Sequence, residues 1–258
     1  MKILAAVAGA ARFGVAMLVL VVFSLLIVLT IWIPVEFGGA RIAAWLTTLA
    51  ARLAMIVFNV RYRCPDPAAI RGHRGLIFPN HISYFDILMM VHTLPLRFLS
   101  AIENKSMPLI GMVATAIGTV FVDRGEKASR AESRRQIGAA PAHPALVMFP
   151  EGGIGPGGTL ESFRYGAFDI AIESGKSILP VVIQYSRPDV ILWDWRNGET
   201  MWAALWKLAR YVGPAITATA TPLSPVVSAP GDDGPALAIR THRAMAEALG
   251  FPSRMADA

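Results

Sequence analysis

Leu76-Ile77-Phe78-Pro79-Asn80-His81-Ile82-Ser83-Tyr84-Phe85-Asp86-Ile87-Leu88-Met89-Met90 changes character midway, and that change sets the fold class. Leu76-Ile77-Phe78 is a short apolar run of the kind that forms a buried strand. Ser83-Tyr84-Phe85-Asp86 is a helix-start pattern, a serine answered three residues later by an acid. The helix it opens continues through Ile87, Leu88, Met89 and Met90. Between strand and helix stands His81, five positions before Asp86. Residues five apart on one continuous helix diverge by about 140°. The two side chains therefore meet only if His81 lies in the loop before the helix that carries Asp86. A histidine beside a carboxylate is the usual equipment for taking a proton from a hydroxyl near neutral pH. A plainer role also fits, with Ser83 and Asp86 capping a helix and His81 an ordinary loop residue. These residues alone leave both readings open.

The same alternation continues along the chain. Strands are expected at Leu76–Phe78, Arg97–Ser100, Thr119–Val122, Leu146–Phe149, Ile178–Gln184 and Ile216–Thr221. Helices are expected at Asp86–His92, Ser106–Ala116, Ala128–Ala139, Tyr165–Ser174, Met201–Tyr211 and Pro235–Ala248. This order implies an α/β fold with a central, largely parallel sheet flanked by helices. Functional residues of such sheets gather where strands end and loops enter helices. His81, Arg124 and Glu151 each follow a strand candidate almost immediately.

Composition adds a membrane to this picture. Of 258 residues 54% are hydrophobic and 16% charged, with a mean hydropathy of +0.50. That is greasier than an ordinary soluble domain. The net charge of +6 and a pI near 9.8 suit nucleic acid or an anionic membrane surface. The hydrophobicity favours the membrane. From Phe13 to Val35 only uncharged residues occur, long enough to cross a hydrocarbon core of about 30 Å. Gly38-Gly39 then separates a second helical stretch, Ala40 to about Val60. In it Arg41, Thr48, Arg52 and Asn59 share a stripe about 40° wide at 100° per residue. Such a helix either lies in the interface with that edge toward water or packs on the protein's own core. Residues 1–62 thus read as a membrane-associated two-helix hairpin and 63–258 as the α/β domain, with its motifs within about 75–185. Whether the first helix spans the bilayer or the pair is monotopic stays open.

Two further strand-end sites invite chemistry. The run Gly118 to Gly125 delivers Arg124 to a strand tip, where a guanidinium holds a phosphate in a bidentate grip or pairs with Asp123 or a glutamate. Phe149-Pro150-Glu151-Gly152-Gly153 follows another strand, and Gly155, Gly157 and Gly158 come soon after. Glycines let backbone N–H groups approach an anion, but no Gly-Lys-Ser/Thr follows and no dinucleotide fingerprint is formed. The histidines have no metal-ligand spacing, and His73 and His143 read as exposed loop residues. Cys64 is the single cysteine, so an intramolecular disulfide is excluded. Trp193, Trp195, Trp202 and Trp206 form an aromatic set suited to core or to a membrane interface.

Taken together and in this order, the sites resemble the 1-acylglycerol-3-phosphate O-acyltransferase family of membrane glycerolipid acyltransferases. Asn80-His81-x-Ser83-x-x-Asp86 matches its first motif in full, and Gly118-Thr119-Val120-Phe121-Val122-Asp123-Arg124 looks like its second. Phe149-Pro150-Glu151-Gly152 opens the third, Ser162 to Phe168 resembles its continuation, and Ile178-Leu179-Pro180-Val181-Val182 is similar to the fourth. The likeness covers roughly residues 75–185. One departure stands out: Gly153 and Ile154 follow Phe-Pro-Glu-Gly where the family usually has Thr or Ser and then often Arg or Thr.

The resemblance implies the following assignments. His81 is the general base on a lysolipid hydroxyl, steadied by Asp86. Arg124, Glu151 and Gly152 position the acceptor, while Asn80, Ser83 and Pro180 support the site. Met107–Gly118 is a candidate acyl-chain wall. The acyl donor is acyl-CoA or acyl carrier protein, the acceptor most simply 1-acyl-glycerol-3-phosphate, and no metal or other cofactor is called for. The expected location is a membrane, at the cytoplasmic face of the inner or plasma membrane for a bacterial source. The alternatives are a lyso-ornithine lipid acceptor, a non-catalytic membrane-remodelling scaffold, and a lipid hydrolase, the last disfavoured by the missing serine elbow.

Overall fold

Apolar strands cannot leave their backbone N–H and C=O groups unpaired, and seven of them here close into one sheet. The computed structural model describes residues 2–123, 125–253 and 255. The chain begins with helix α1 (Lys2–Thr30). Strands β1 (Glu36–Phe37) and β2 (Ala40–Arg41) form a small hairpin turned at Gly38 and Gly39, both at positive φ, and lead into α2 (Ile42–Val57). The α/β layer then runs β3 (Val60–Arg63), α3 (Pro67–Gly72), β4 (Leu76–Pro79), α4 (Phe85–Thr93) and β5 (Arg97–Ala101). A 3₁₀ turn at Ile102–Ser106 leads to α5 (Ile110–Ala116), β6 (Val120–Val122) and α6 (Lys127–Ala139). After β7 (Leu146–Val147) come α7 (Tyr165–Ser174), β8 (Ile178–Tyr185), the short α8 (Pro188–Ile191), α9 (Met201–Ala209), β9 (Ile216–Pro222) and α10 (Gly234–Leu249).

The strand order is β3-β9-β8-β4-β7-β5-β6, and every neighbouring pair is parallel except β8 with β9. Period-2 alternation divides the core between the two faces. Ile77, Leu179, Val181 and Ile183 pack with Met55 of α2 and Met89 of α4 on one side. Leu76, Phe78, Ile178 and Val182 pack with Phe168 of α7 and Met245 of α10 on the other. Because β4, β5, β6, β7 and β8 run the same way, the residues following β4, β6 and β7 all emerge at one edge.

Several expectations are corrected by this architecture. Val60–Arg63, read from sequence as helix end and link, is an edge strand paired with β9. Its alternation of apolar and charged residues suits an edge exposed on one side. The helix expected at Ser106–Ala116 is divided at Pro108, whose ring cannot continue an incoming turn. His73 is buried, its Nε2 within 3.0 Å of the Leu76 carbonyl oxygen and 3.3 Å of that of Ser177. His143 is half-buried with Nε2 3.1 Å from the Gly38 carbonyl oxygen.

The polar stripe of α2 is divided between protein and water, with Arg41 and Arg52 exposed and the other two residues turned inward. Thr48 is buried, Arg52 donates to the carbonyl of His92, and Asn59 just beyond the helix donates to that of Gly213. Leu49 and Ile56 are exposed as well. The α1 helix is long and apolar enough to cross a membrane, with a mean hydropathy of 2.9 over its most apolar window.

Candidate active site

His81 is placed by β4 and held by the loops of its neighbours. Asn80, the first residue past β4, locks that strand end to β8: its Nδ2 donates to the Ile183 carbonyl (3.1 Å) and its Oδ1 accepts from the Ile183 N–H (2.6 Å). The His81 N–H donates to Glu151 Oε1 (2.7 Å), and its carbonyl accepts from the Gly155 N–H (2.7 Å). The imidazole lies flat on Phe149, centroids 3.9 Å apart and planes 19° from parallel. Its side chain is 12% exposed.

Asp86 sits in the first turn of α4 and is wholly buried. Its Oδ2 accepts from His81 Nδ1 (2.8 Å), the Ile82 N–H (2.6 Å) and the Ser83 N–H (2.8 Å). Its Oδ1 accepts from the Tyr185 hydroxyl (2.6 Å). Taking a carboxylate out of water costs several kcal/mol, and these donors offset that cost. The capping arrangement and the imidazole contact are thus one structure. The acid returns to the Ser83 N–H as a capping box requires, and the same oxygen fixes the ring. Ser83 Oγ donates to the Ile191 carbonyl (2.8 Å) and accepts from the Phe85 N–H (3.3 Å), so it braces α8 against the site.

Glu151 turns inward. Its two oxygens accept from the N–H groups of His81 (2.7 Å) and Glu161 (3.0 Å), which ties the β4 loop to the glycine-rich loop. Burial pushes its carboxyl up to about 8, against the pull of those two N–H donors and with a further push from Asp86 and Glu161. Gly152 takes φ +76°, a conformation that favours glycine, and its N–H donates to the Phe149 carbonyl (3.1 Å). The enlarged loop beyond it is covered by the segment after α8. Trp195 Nε1 donates to the Ile154 carbonyl (2.9 Å), Arg196 pairs with Glu161 (3.1 Å), and Trp193 lies over Tyr84 at 4.1 Å. Pro180 is buried in β8 opposite Phe78 of β4.

Arg124 lies outside the described residues. The strand before it, β6, is three places from β4, about 14 Å at ordinary strand spacing. The four tryptophans divide: Trp193 and Trp195 stand over the site loops, while Trp202 and Trp206 of α9 receive Phe13 of α1 edge-on. Phe149 and Tyr185 carry no sequence signal for their place beside the pair. Tyr185 could have been suspected only as a lone hydroxyl at the end of an otherwise apolar strand.

A mostly parallel sheet with a partly exposed histidine on a buried aspartate at its carboxyl edge, and a serine beside it that is turned to a backbone carbonyl, defines an α/β domain equipped for direct proton transfer. Residues 60–184 match the acyltransferase family model. The chain thus carries an acyltransferase domain and is similar to glycerolipid acyltransferases of the 1-acylglycerol-3-phosphate O-acyltransferase family.

Among its relatives is a lyso-ornithine lipid O-acyltransferase of Pseudomonas aeruginosa, 34% identical over 146 residues, which are 57% of this chain and 54% of that protein. A lysophosphatidylcholine acyltransferase 1 of Danio rerio is 32% identical over 69% of this chain and 34% of its own length. A 1-acyl-sn-glycerol-3-phosphate acyltransferase of Neisseria gonorrhoeae is 28% identical over 51% and 52%. The chain therefore spans about half, or in the Danio case about a third, of the curated relatives it matches. The crystal structure of the 1-acyl-sn-glycerophosphate acyltransferase PlsC from Thermotoga maritima shares the fold, with a TM-score of 0.71, 15% identity, and 96% and 95% of the two chains covered.

Proposed function

We propose that this chain is a membrane O-acyltransferase. It transfers a fatty acyl group from acyl-CoA or acyl carrier protein to the free hydroxyl of a lysophospholipid, first of all 1-acyl-glycerol-3-phosphate, giving phosphatidate. The observation that carries this reading is the 2.8 Å bond from His81 Nδ1 to the buried Asp86. With Nδ1 committed, Nε2 is the nitrogen left for the acceptor. It takes the hydroxyl proton as the oxygen attacks the thioester carbonyl. Asp86 holds the tautomer and offsets the charge of the imidazolium. Collapse of the tetrahedral intermediate breaks the carbon–sulfur bond, and the imidazolium returns the proton to the departing thiolate. No acyl-enzyme forms, and the donor is a substrate, not a resident cofactor. Arg124 and the loop at Glu151 and Gly152 are assigned to the acceptor's phosphate or head group.

A lyso-ornithine lipid acceptor is the second reading. Gly153 and Ile154 favour it, since they leave the third motif without a cation of its own, and the Pseudomonas relative bears that name. Purified full-length protein should be offered both acceptors and lysophosphatidylcholine with one acyl donor, and the products weighed by mass spectrometry. We expect phosphatidate from wild type and none from His81→Ala. Acylation of a non-phosphate acceptor alone overturns the first acceptor. Absence of transfer to any lysolipid overturns the reading itself.

A further inference from the structure

Asp86 faces His81 with Oδ2, which the Ile82 and Ser83 N–H groups also hold, and what holds the other oxygen completes the fixing of the carboxylate. That other oxygen, Oδ1, receives the Tyr185 hydroxyl at 2.6 Å, from the last residue of β8. Tyr185 lies ninety-nine residues from Asp86, outside the four motif blocks, and buried in the core that joins α4 to the sheet. Burial and the adjacent Asp86 keep its phenol protonated well above the ordinary tyrosine range, so it is a permanent donor. Asn80 fastens β4 to Ile183, two residues before Tyr185 and on the same face of the strand. The sheet thus fixes the hydroxyl relative to the loop that carries His81.

We infer that Tyr185 is a positioning residue of the His81–Asp86 pair: by occupying Oδ1, opposite the backbone N–H groups that hold Oδ2, it completes the fixing of the carboxylate's rotation and keeps Oδ2 on the imidazole. The titratable groups around the pair are Tyr185 from β8, Glu151 from the loop after β7 and, behind it, Glu161. His92 stands at the other end of α4. Tyr185 is the member of this set that donates to the carboxylate side chain, so it also draws charge from it. Without the hydroxyl, Asp86 attracts a proton on His81 more strongly and is held less firmly.

This rests on His81 being the base of the proposed transfer. The test is Tyr185→Phe in the full-length protein, which removes one oxygen and keeps the ring. With the acceptor that wild type uses, kcat should fall roughly 10- to 100-fold, the scale of one hydrogen bond to a charged group. KM for both substrates should stay within about twofold, because the hydroxyl touches neither substrate. The acid limb of the pH–rate profile should move to higher pH by about 0.5 to 1 pH unit. A purely structural tyrosine would lower the melting temperature and leave that limb where it was. An unmoved limb, unchanged kcat, or a loss carried by KM alone overturns the inference. Ring signals of His81 followed by NMR against pH give the same comparison without turnover. A displaced titration in Tyr185→Phe supports the coupling even if no lysolipid is acylated, and an undisplaced one refutes it.

Discussion

Glu151 shows how a residue's surroundings can invert its ordinary behaviour. Two backbone N–H groups favour its charged form, yet burial at 6% exposure, with Asp86 and Glu161 nearby, outweighs them and pushes the carboxyl up to about 8. A carboxyl that holds its proton more tightly when folded than when unfolded favours the folded state most below the ordinary glutamate range. That advantage is lost as pH rises from there through about 8. The melting temperature of wild type should therefore decline between about pH 5 and pH 8, where other carboxylates are already ionised. In Glu151→Gln the slope should flatten, because the amide does not titrate. The variant should also melt lower throughout, since its –NH₂ meets one of the two N–H donors. An equal slope in both proteins, read by calorimetry, would remove Glu151 as its source.

At the scale of elements, what the sequence revealed depended on distance along the chain. His81 and Asp86 were readable as a potential pair because their contact is local, a loop residue meeting the first turn of the next helix. Six strands of the sheet were readable because their apolar runs are short and bounded. Tyr185 and the inward turn of Glu151 were not, because both depend on β8 and β7 lying on either side of β4, an order no local pattern encodes. His73 follows the same rule: its neighbours Arg71, Gly72, Arg74 and Gly75 look exposed in sequence, whereas the ring is buried against the carbonyls of Leu76 and of distant Ser177.

The first helix poses the same problem and has a sharper answer. Arg12 of α1 donates to the carbonyls of Ala209 and Tyr211, and Phe13 meets Trp202 and Trp206. Ile27 packs with Ala43 and Ala116. These contacts are fifteen residues apart, about 22 Å along the helix, and both are to the body of the protein. A helix held so lies along the domain and turns Leu4, Leu18, Leu25 and Leu29 outward. Single cysteines placed by Leu4→Cys or Val35→Cys in a Cys64→Ser background should therefore react with an impermeant thiol reagent from the same side of sealed vesicles. Labelling from opposite faces would show a spanning helix.

For the whole molecule, two forces would hold it at an anionic membrane surface, and they respond differently to salt. The chain carries 24 Lys and Arg against 18 Asp and Glu, a net +6. Each cation near an anionic bilayer contributes about 1 kcal/mol at low ionic strength, and that attraction is screened as the Debye length contracts from about 10 Å at 0.1 M to about 3 Å at 1 M. The outward leucines of α1, with Ile56 of α2 and Trp202 of α9, are exposed apolar surface whose burial in a bilayer salt would not weaken. The proposed lysolipid acceptor would reside in the bilayer, and the proposed transfer then needs the protein to stay bound while acceptors exchange. Binding to vesicles containing anionic lipid should fall several-fold between 0.1 M and 1 M salt and then level off above zero. Neutral vesicles should show the residual binding alone, nearly independent of salt. Complete release at 1 M would assign attachment to charge and leave the apolar face of α1 without that role. Binding that ignores salt on anionic vesicles would strip the +6 charge of any part in it.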